Sequence, residues 1–169
     1  VNSGVSFWSN DNKLIYANKF LRDFTKKSTG YDLVAGTDRV EYLEHSVSKG
    51  FISYGERTAR EVHESFMELI DQSEKGANLE FTTDSKGKKE FWLNTAFRLQ
   101  SGDWMQIITD ISFQKQRESE LNRLYEAIDK MSGGIIVWDK NHKLVFANKE
   151  MRDNPFGFEF KQGVSRHDM

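Results

Sequence analysis

Few residues in this chain are placed to do chemistry. There is no cysteine among its 169 residues, so disulfides, thiolate nucleophiles and cysteine metal sites are excluded within it. Of the four histidines, His45, His142 and His167 show no metal-ligand spacing with one another or with carboxylates. His63 differs. At about 100° per residue it falls near the middle of an apolar stripe formed by Ala59, Val62, Phe66, Leu69 and Ile70. A neutral imidazole on such a face suits axial ligation of iron. A core histidine bonded to a neighbour occupies the same kind of position. No GxxxxGK phosphate loop occurs, and no Ser/His/Asp set or carboxylate pair can be assigned to a cleft. The segment does not read as an enzyme.

The elements that must position these residues follow from pattern. Val5–Trp8 and Leu14–Ala17 are apolar runs split by Asn10-Asp11-Asn12, which predicts a hairpin. Asn18 suits the N-cap of a helix carrying Phe20, Leu21 and Phe24. Arg39–Lys49 reads as another short helix. Ser53 and Glu56 fit a capping box opening the longest helix, with Gly76 as its left-handed cap. Three strands follow. Leu79, Phe81 and Thr83 alternate on the first. On the second, period-2 alternation places Phe91, Leu93, Thr95 and Phe97 on the inner face. Trp104–Ile111 forms the last. Strands grouped at both ends with helices between imply an α+β fold: a five-stranded antiparallel sheet with helices on one face.

The opening of the chain occurs twice. Gly4–Asp23 (GVSFWSNDNKLIYANKFLRD) and Gly134–Asp153 (GIIVWDKNHKLVFANKEMRD) share nine of twenty residues. This is a tandem repeat. Between the copies, Gln114–Met131 is highly charged, with Leu121, Leu124, Ile128 and Met131 in 3-4-3 spacing. That is a short heptad seam, fit to support a homodimer but too short to hold one alone. Ser132-Gly133-Gly134 ends the helix.

Composition bounds the partners. With 24 basic and 26 acidic residues there is no basic stripe for nucleic acid and no polybasic run for a membrane surface. No apolar run reaches the length of a membrane span, so a cytoplasmic location is expected. The chain begins with Val1, which predicts that the parent protein starts earlier.

The ββ-helices-βββ order followed by a charged helix resembles a Per-Arnt-Sim (PAS) sensory domain. Leu14–Asn18 (LIYAN), the helical KFLRDF after it and Gly30-Tyr31 look like the family's second strand, first helix and turn. Asp110-Ile111-Ser112 with Lys115 and Glu118 looks like its closing signature, Asp-Ile-Thr-x-x-Lys-x-x-Glu, with serine keeping the hydroxyl. Leu144–Asn148 (LVFAN) repeats the opening motif. The resemblance implies a complete PAS-like domain over 1–112, a coiled-coil-like signalling helix over 113–131 and the truncated start of a second domain over 132–169. It also implies a bacterial signalling parent, foremost a sensor histidine kinase. A diguanylate cyclase, a phosphodiesterase or a nucleotide cyclase is the alternative.

What the resemblance implies for sites is specific. Trp104, Gln106 and Ile108 would face a pocket together with His63, Phe66, Leu93, Thr95 and Phe97. That pocket would hold a small-molecule ligand or simply be filled by side chains. Asp110, Ile111, Ser112 and Lys115 would form a relay hinge, the aspartate pairing with a basic linker residue. In the haem-binding branch the iron ligand is a histidine on the helix of His63. Flavin chemistry through a cysteine adduct is disfavoured, since no cysteine is present. The cofactor is otherwise open, and none is required. A ligand-free dimerisation or spacer module is the competing reading.

Overall fold

The protein is described here by a computed structural model covering residues 3–85, 87–153 and 159–166. It divides into two compact units, Val1–Lys115 and Gln116–Met169.

In the first unit, β1 (Ser3–Trp8) and β2 (Leu14–Ala17) form the predicted hairpin. Three helices follow: α1 (Lys19–Thr29), α2 (Arg39–Ser48) and α3 (Ala59–Asp71). Then come β3 (Ala77–Ser85), β4 (Lys88–Arg98) and β5 (Trp104–Asp110). The sheet order is β2-β1-β5-β4-β3, antiparallel throughout. This is the α+β architecture the resemblance implies. First and last strands meet at the centre, which sets Trp8 opposite Trp104 with their rings stacked 5.5 Å apart. Leu21 of α1, Leu43 of α2 and Phe66 and Ile70 of α3 bury against the inner face, around Trp8, Trp92, Ala96 and Trp104.

Local chemistry explains the helix boundaries. Asn18 caps α1 by accepting the Leu21 amide, and Gly30, at φ 77°, closes it. Asp38 caps α2 by accepting the amides of Val40 and Glu41. The capping box of α3 is Thr58 with Glu61, not Ser53 with Glu56. Gly55 has φ 66°, which no helix can include, so the first candidate box cannot open one. Helix α3 stops at Asp71, and Gly76 instead serves the entry to β3. A Cβ there would lie 2.5 Å from the Ala96 carbonyl oxygen. Leu69, expected on the apolar stripe, is 48% exposed.

The inner face of β4 is also corrected. Gln106 lies opposite Ala96 on one side and Ser6 on the other, so all three share a face. That turns Trp92, Asn94 and Ala96 inward, and all three are buried. Phe91, Leu93, Thr95 and Phe97 occupy the opposite face and are half-buried. Both faces of β4 carry large apolar groups. Alternation alone therefore cannot say which face meets the helices, and cross-strand register decides it.

The second unit takes up α4 (Ser112–Asp129) from Gln116 onward, then β6 (Ile136–Trp138), β7 (Leu144–Ala147) and α5 (Lys149–Arg152). Its hairpin repeats the first one closely. Trp138 pairs with Leu144 as Trp8 pairs with Leu14, with the same irregularity one residue earlier. His142 has φ 60°, as its counterpart Asn12 has φ 62°. The hairpin packs on the end of α4. Asn148, fully buried, donates to the carbonyls of Gly133 at 2.8 Å and Ile128 at 3.4 Å. The Tyr125 ring lies 5.9 Å from that of Phe146, and Arg152 pairs with Asp129 at 2.9 Å. Among the described residues no helix is long and apolar enough to cross a membrane. His167 lies outside them.

Candidate ligand cavity and relay junction

Between the sheet and helices α2 and α3 lies a cavity of about 40 Å³. One water needs about 10–15 Å³ of such space, so a group of about three to four heavy atoms fits. Of the residues expected at a pocket, His63, Phe66, Gln106 and Ile108 line it. Trp104 lies just behind, fully buried, with its ring 6.4 Å from that of His63. Leu93, Thr95 and Phe97 are not part of it, because they sit on the other face of β4. Arg39, Tyr42 and Asn94 line it instead, none of them anticipated as pocket residues.

The polar lining is unusual in its bonding. Ser6 Oγ accepts the Trp8 indole N–H at 2.8 Å and donates to Gln106 Oε1 at 3.3 Å. This chain fixes the Gln106 amide and leaves Nε2 without a partner. Both ring nitrogens of His63, Asn94 Oδ1 and Arg39 Nε also lack partners. All four side chains are buried, each less than 7% exposed. Buried polar groups are almost always hydrogen-bonded, so four exceptions around one void mark it out.

Electrostatics follow from burial. His63 is held neutral at ordinary pH: burial, reinforced by the positive charge of Arg39, lowers its pKa from 6.5 to about 4. The same burial lowers the Arg39 pKa from its usual value. Arg39 lies over the rings of Trp8 at 5.0 Å, Tyr42 at 5.5 Å and Trp104 at 5.9 Å. Haem does not fit these residues. The cavity is far too small for a porphyrin, and a buried cation stands close to the imidazole that would bind iron. Among the described residues no group of three or more His, Asp or Glu is placed to hold a metal ion.

Of the expected hinge residues, Asp110 bonds the Ser112 amide rather than showing the expected pairing with a basic linker residue, and the group lies beyond the end of the cavity's wall strand. Asp110 Oδ1 accepts the Ser112 amide at 2.9 Å, starting α4. Ser112 Oγ accepts the Phe91 amide at 2.9 Å, and the Ile111 amide donates to the Phe91 carbonyl at 2.8 Å. Lys115 Nζ pairs with Glu80 on β3 at 2.7 Å, which ties the first turn of α4 to the sheet edge. The seam residues Leu121, Leu124 and Met131 are 49%, 59% and 53% exposed, whereas Ile128 is half-buried.

The comparisons with known proteins concern the fold. No family model matches the chain, and no curated protein matches it. Among solved structures it is similar to the sensor region of a sensor histidine kinase, at 20% identity and a TM-score of 0.46 over 66% of this chain. The chain spans 40% of that structure's length. It is also similar to the PAS domain of Bordetella pertussis BvgS, at 14% identity and a TM-score of 0.42, covering 75% of this chain and 86% of that one. A third likeness is to an RNA-binding light-oxygen-voltage receptor, at 15% identity and a TM-score of 0.47, covering 75% of this chain and 34% of that one.

Proposed function

We propose that residues 1–112 are a sensory PAS module of a multidomain signalling protein, foremost a sensor histidine kinase. Residues 113–131 act as its output helix, and 132–169 open a second module of the same kind. One observation carries the reading. The strand that supplies Gln106 and Ile108 to the cavity continues, without a break in the sheet, into the junction that starts α4. An occupant that moves β5 therefore moves the base of α4, provided it binds the two positions of that strand unequally.

The test uses the full-length parent and needs no knowledge of the signal. Val62 lines the cavity, and Val62→Phe fills it with a permanent occupant. Asp110→Ala removes the cap that couples β5 to α4. Both changes are expected to alter the parent's output while the circular dichroism spectrum stays native. Wild-type output from both folded variants overturns the sensory reading. The spacer reading has its own support in the exposed leucines of α4. It predicts wild-type output from Val62→Phe and altered output only from changes at Leu121 and Leu124.

A further inference from the structure

The cavity asks for a ligand of one sign. A guanidinium is a planar cation whose five N–H groups point outward in its own plane. Aromatic rings over its faces attract the charge but accept none of those hydrogens. Arg39 has three such rings and, among the described residues, no carboxylate or carbonyl bonded to its guanidinium. The nearest acid in sequence, Asp38, is already engaged with the amides of Val40 and Glu41 and with Lys13 at 3.0 Å. A buried charge without a counter-ion is costly, and folding alone gives no reason to keep one. Around it the unused groups are mostly donors: Arg39, the Gln106 amide and the N–H of a neutral imidazole. Asn94 Oδ1 and the second imidazole nitrogen are the unused acceptors.

The second unit carries an arginine at the same backbone station of the repeat, with its side chain exposed rather than buried. The Arg39 amide donates to the carbonyl of Asn12 at 3.0 Å, and the Arg166 amide donates to the carbonyl of His142 at 2.8 Å. The segments before them clip to their hairpins alike. Leu14 bonds the Thr37 carbonyl as Leu144 bonds that of Val164, and Gly36 bonds the Leu14 carbonyl as Gly163 bonds that of Leu144. Between the copies threonine becomes valine and aspartate becomes serine, yet the arginine stays.

From this geometry we propose that the cavity binds a small monocarboxylate, of the size of acetate. Its carboxylate lies in the plane of the Arg39 guanidinium, and its second oxygen is within reach of Gln106 Nε2. The proposal rests on the sensory reading and gives that site its ligand class. A carboxylate is planar, carries one charge and matches the guanidinium fork, with few atoms to place in a small void.

Sodium acetate, titrated into the purified chain at neutral pH against sodium chloride of equal ionic strength, tests this. Tryptophan fluorescence reads it directly, because Trp8 and Trp104 flank Arg39. The expected result is a saturable change and a raised melting temperature with acetate. Acetamide, the neutral isostere, and chloride give neither. Arg39→Met keeps the aromatic stack filled without the charge. It is expected to fold at least as stably as the wild type and to bind acetate about ten- to a hundredfold more weakly. Gln106→Leu leaves the charge and its stack intact and weakens acetate severalfold. Acetamide binding as well as acetate overturns the anion assignment and keeps the cavity as a neutral receptor. Unchanged acetate affinity in both variants also overturns it. So does the absence of any saturable response, and the sensory reading then stands or falls on the output of Val62→Phe.

Discussion

His63 is the residue whose environment most changes its behaviour. Its ordinary pKa of 6.5 falls to about 4 because the charged imidazolium would be buried beside Arg39. Between those values the unfolded chain binds a proton that the folded chain refuses. The stability contributed by this site is therefore complete above about pH 6.5 and is lost as pH falls toward 4. The full difference is on the order of 3 kcal/mol. Urea titrations of the wild type and His63→Gln across that range test this. The wild type is expected to lose stability more steeply with acid. The Asp38 carboxylate, whose pKa is lowered chiefly by its bond to the Glu41 amide, loses its contribution at lower pH in both proteins, so it drops out of the comparison. Parallel profiles would show that His63 is not a buried neutral group. The sequence placed His63 on the right face of the right helix. It did not reveal Arg39, because a single arginine at a helix start looks like a solvated charge. The repeat held the missing signal: Gly36-Thr37-Asp38-Arg39 and Gly163-Val164-Ser165-Arg166 follow the two hairpins.

Element boundaries were legible where one residue type has one job. Asn18 and Gly30 delimit α1 as read, since a side-chain acceptor is needed at one end and a left-handed backbone at the other. Helix α3 was harder, because Ser53-x-x-Glu56 and Thr58-x-x-Glu61 both fit the capping pattern. Only the second makes both reciprocal bonds, Thr58 N to Glu61 at 2.7 Å and Glu61 N to Thr58 Oγ1 at 3.2 Å. Thr58→Ala is therefore expected to cost about 1 kcal/mol, and Ser53→Ala close to nothing. Thermal melts of the two variants decide between the boxes, and equal losses would contradict the capping geometry. Strand β4 shows the other limit of sequence reading. Its existence and length follow from period-2 alternation. Its orientation depends on Ala96 lying opposite Gln106, a pairing between strands that neither strand's own sequence contains.

At the scale of the molecule, α4 is a long helix that leaves apolar side chains in solvent. It begins at a junction bonded to β4 and carries Asn148 and Arg152 of the second hairpin near its end, yet no residue of it is buried. Leu121 and Leu124 are apolar, adjacent on the heptad seam and half to mostly exposed. Ile128 is partly enclosed by its own unit, so the seam free to meet a partner is shorter than the spacing suggests. A two-stranded coil over so few residues is marginal and must draw on further contacts. The chain is therefore expected to dimerise weakly, with sedimentation coefficients that rise with protein concentration. Replacing both Leu121 and Leu124 by glutamate places like charges across a parallel seam and should leave a monomer at every concentration. Its unfolding free energy at low concentration should match the wild type within about 0.5 kcal/mol, since exposed side chains contribute little to the fold. A double variant that dimerises as well as the wild type would move the interface away from α4. A double variant that unfolds would show that the leucines serve their own unit rather than a second copy.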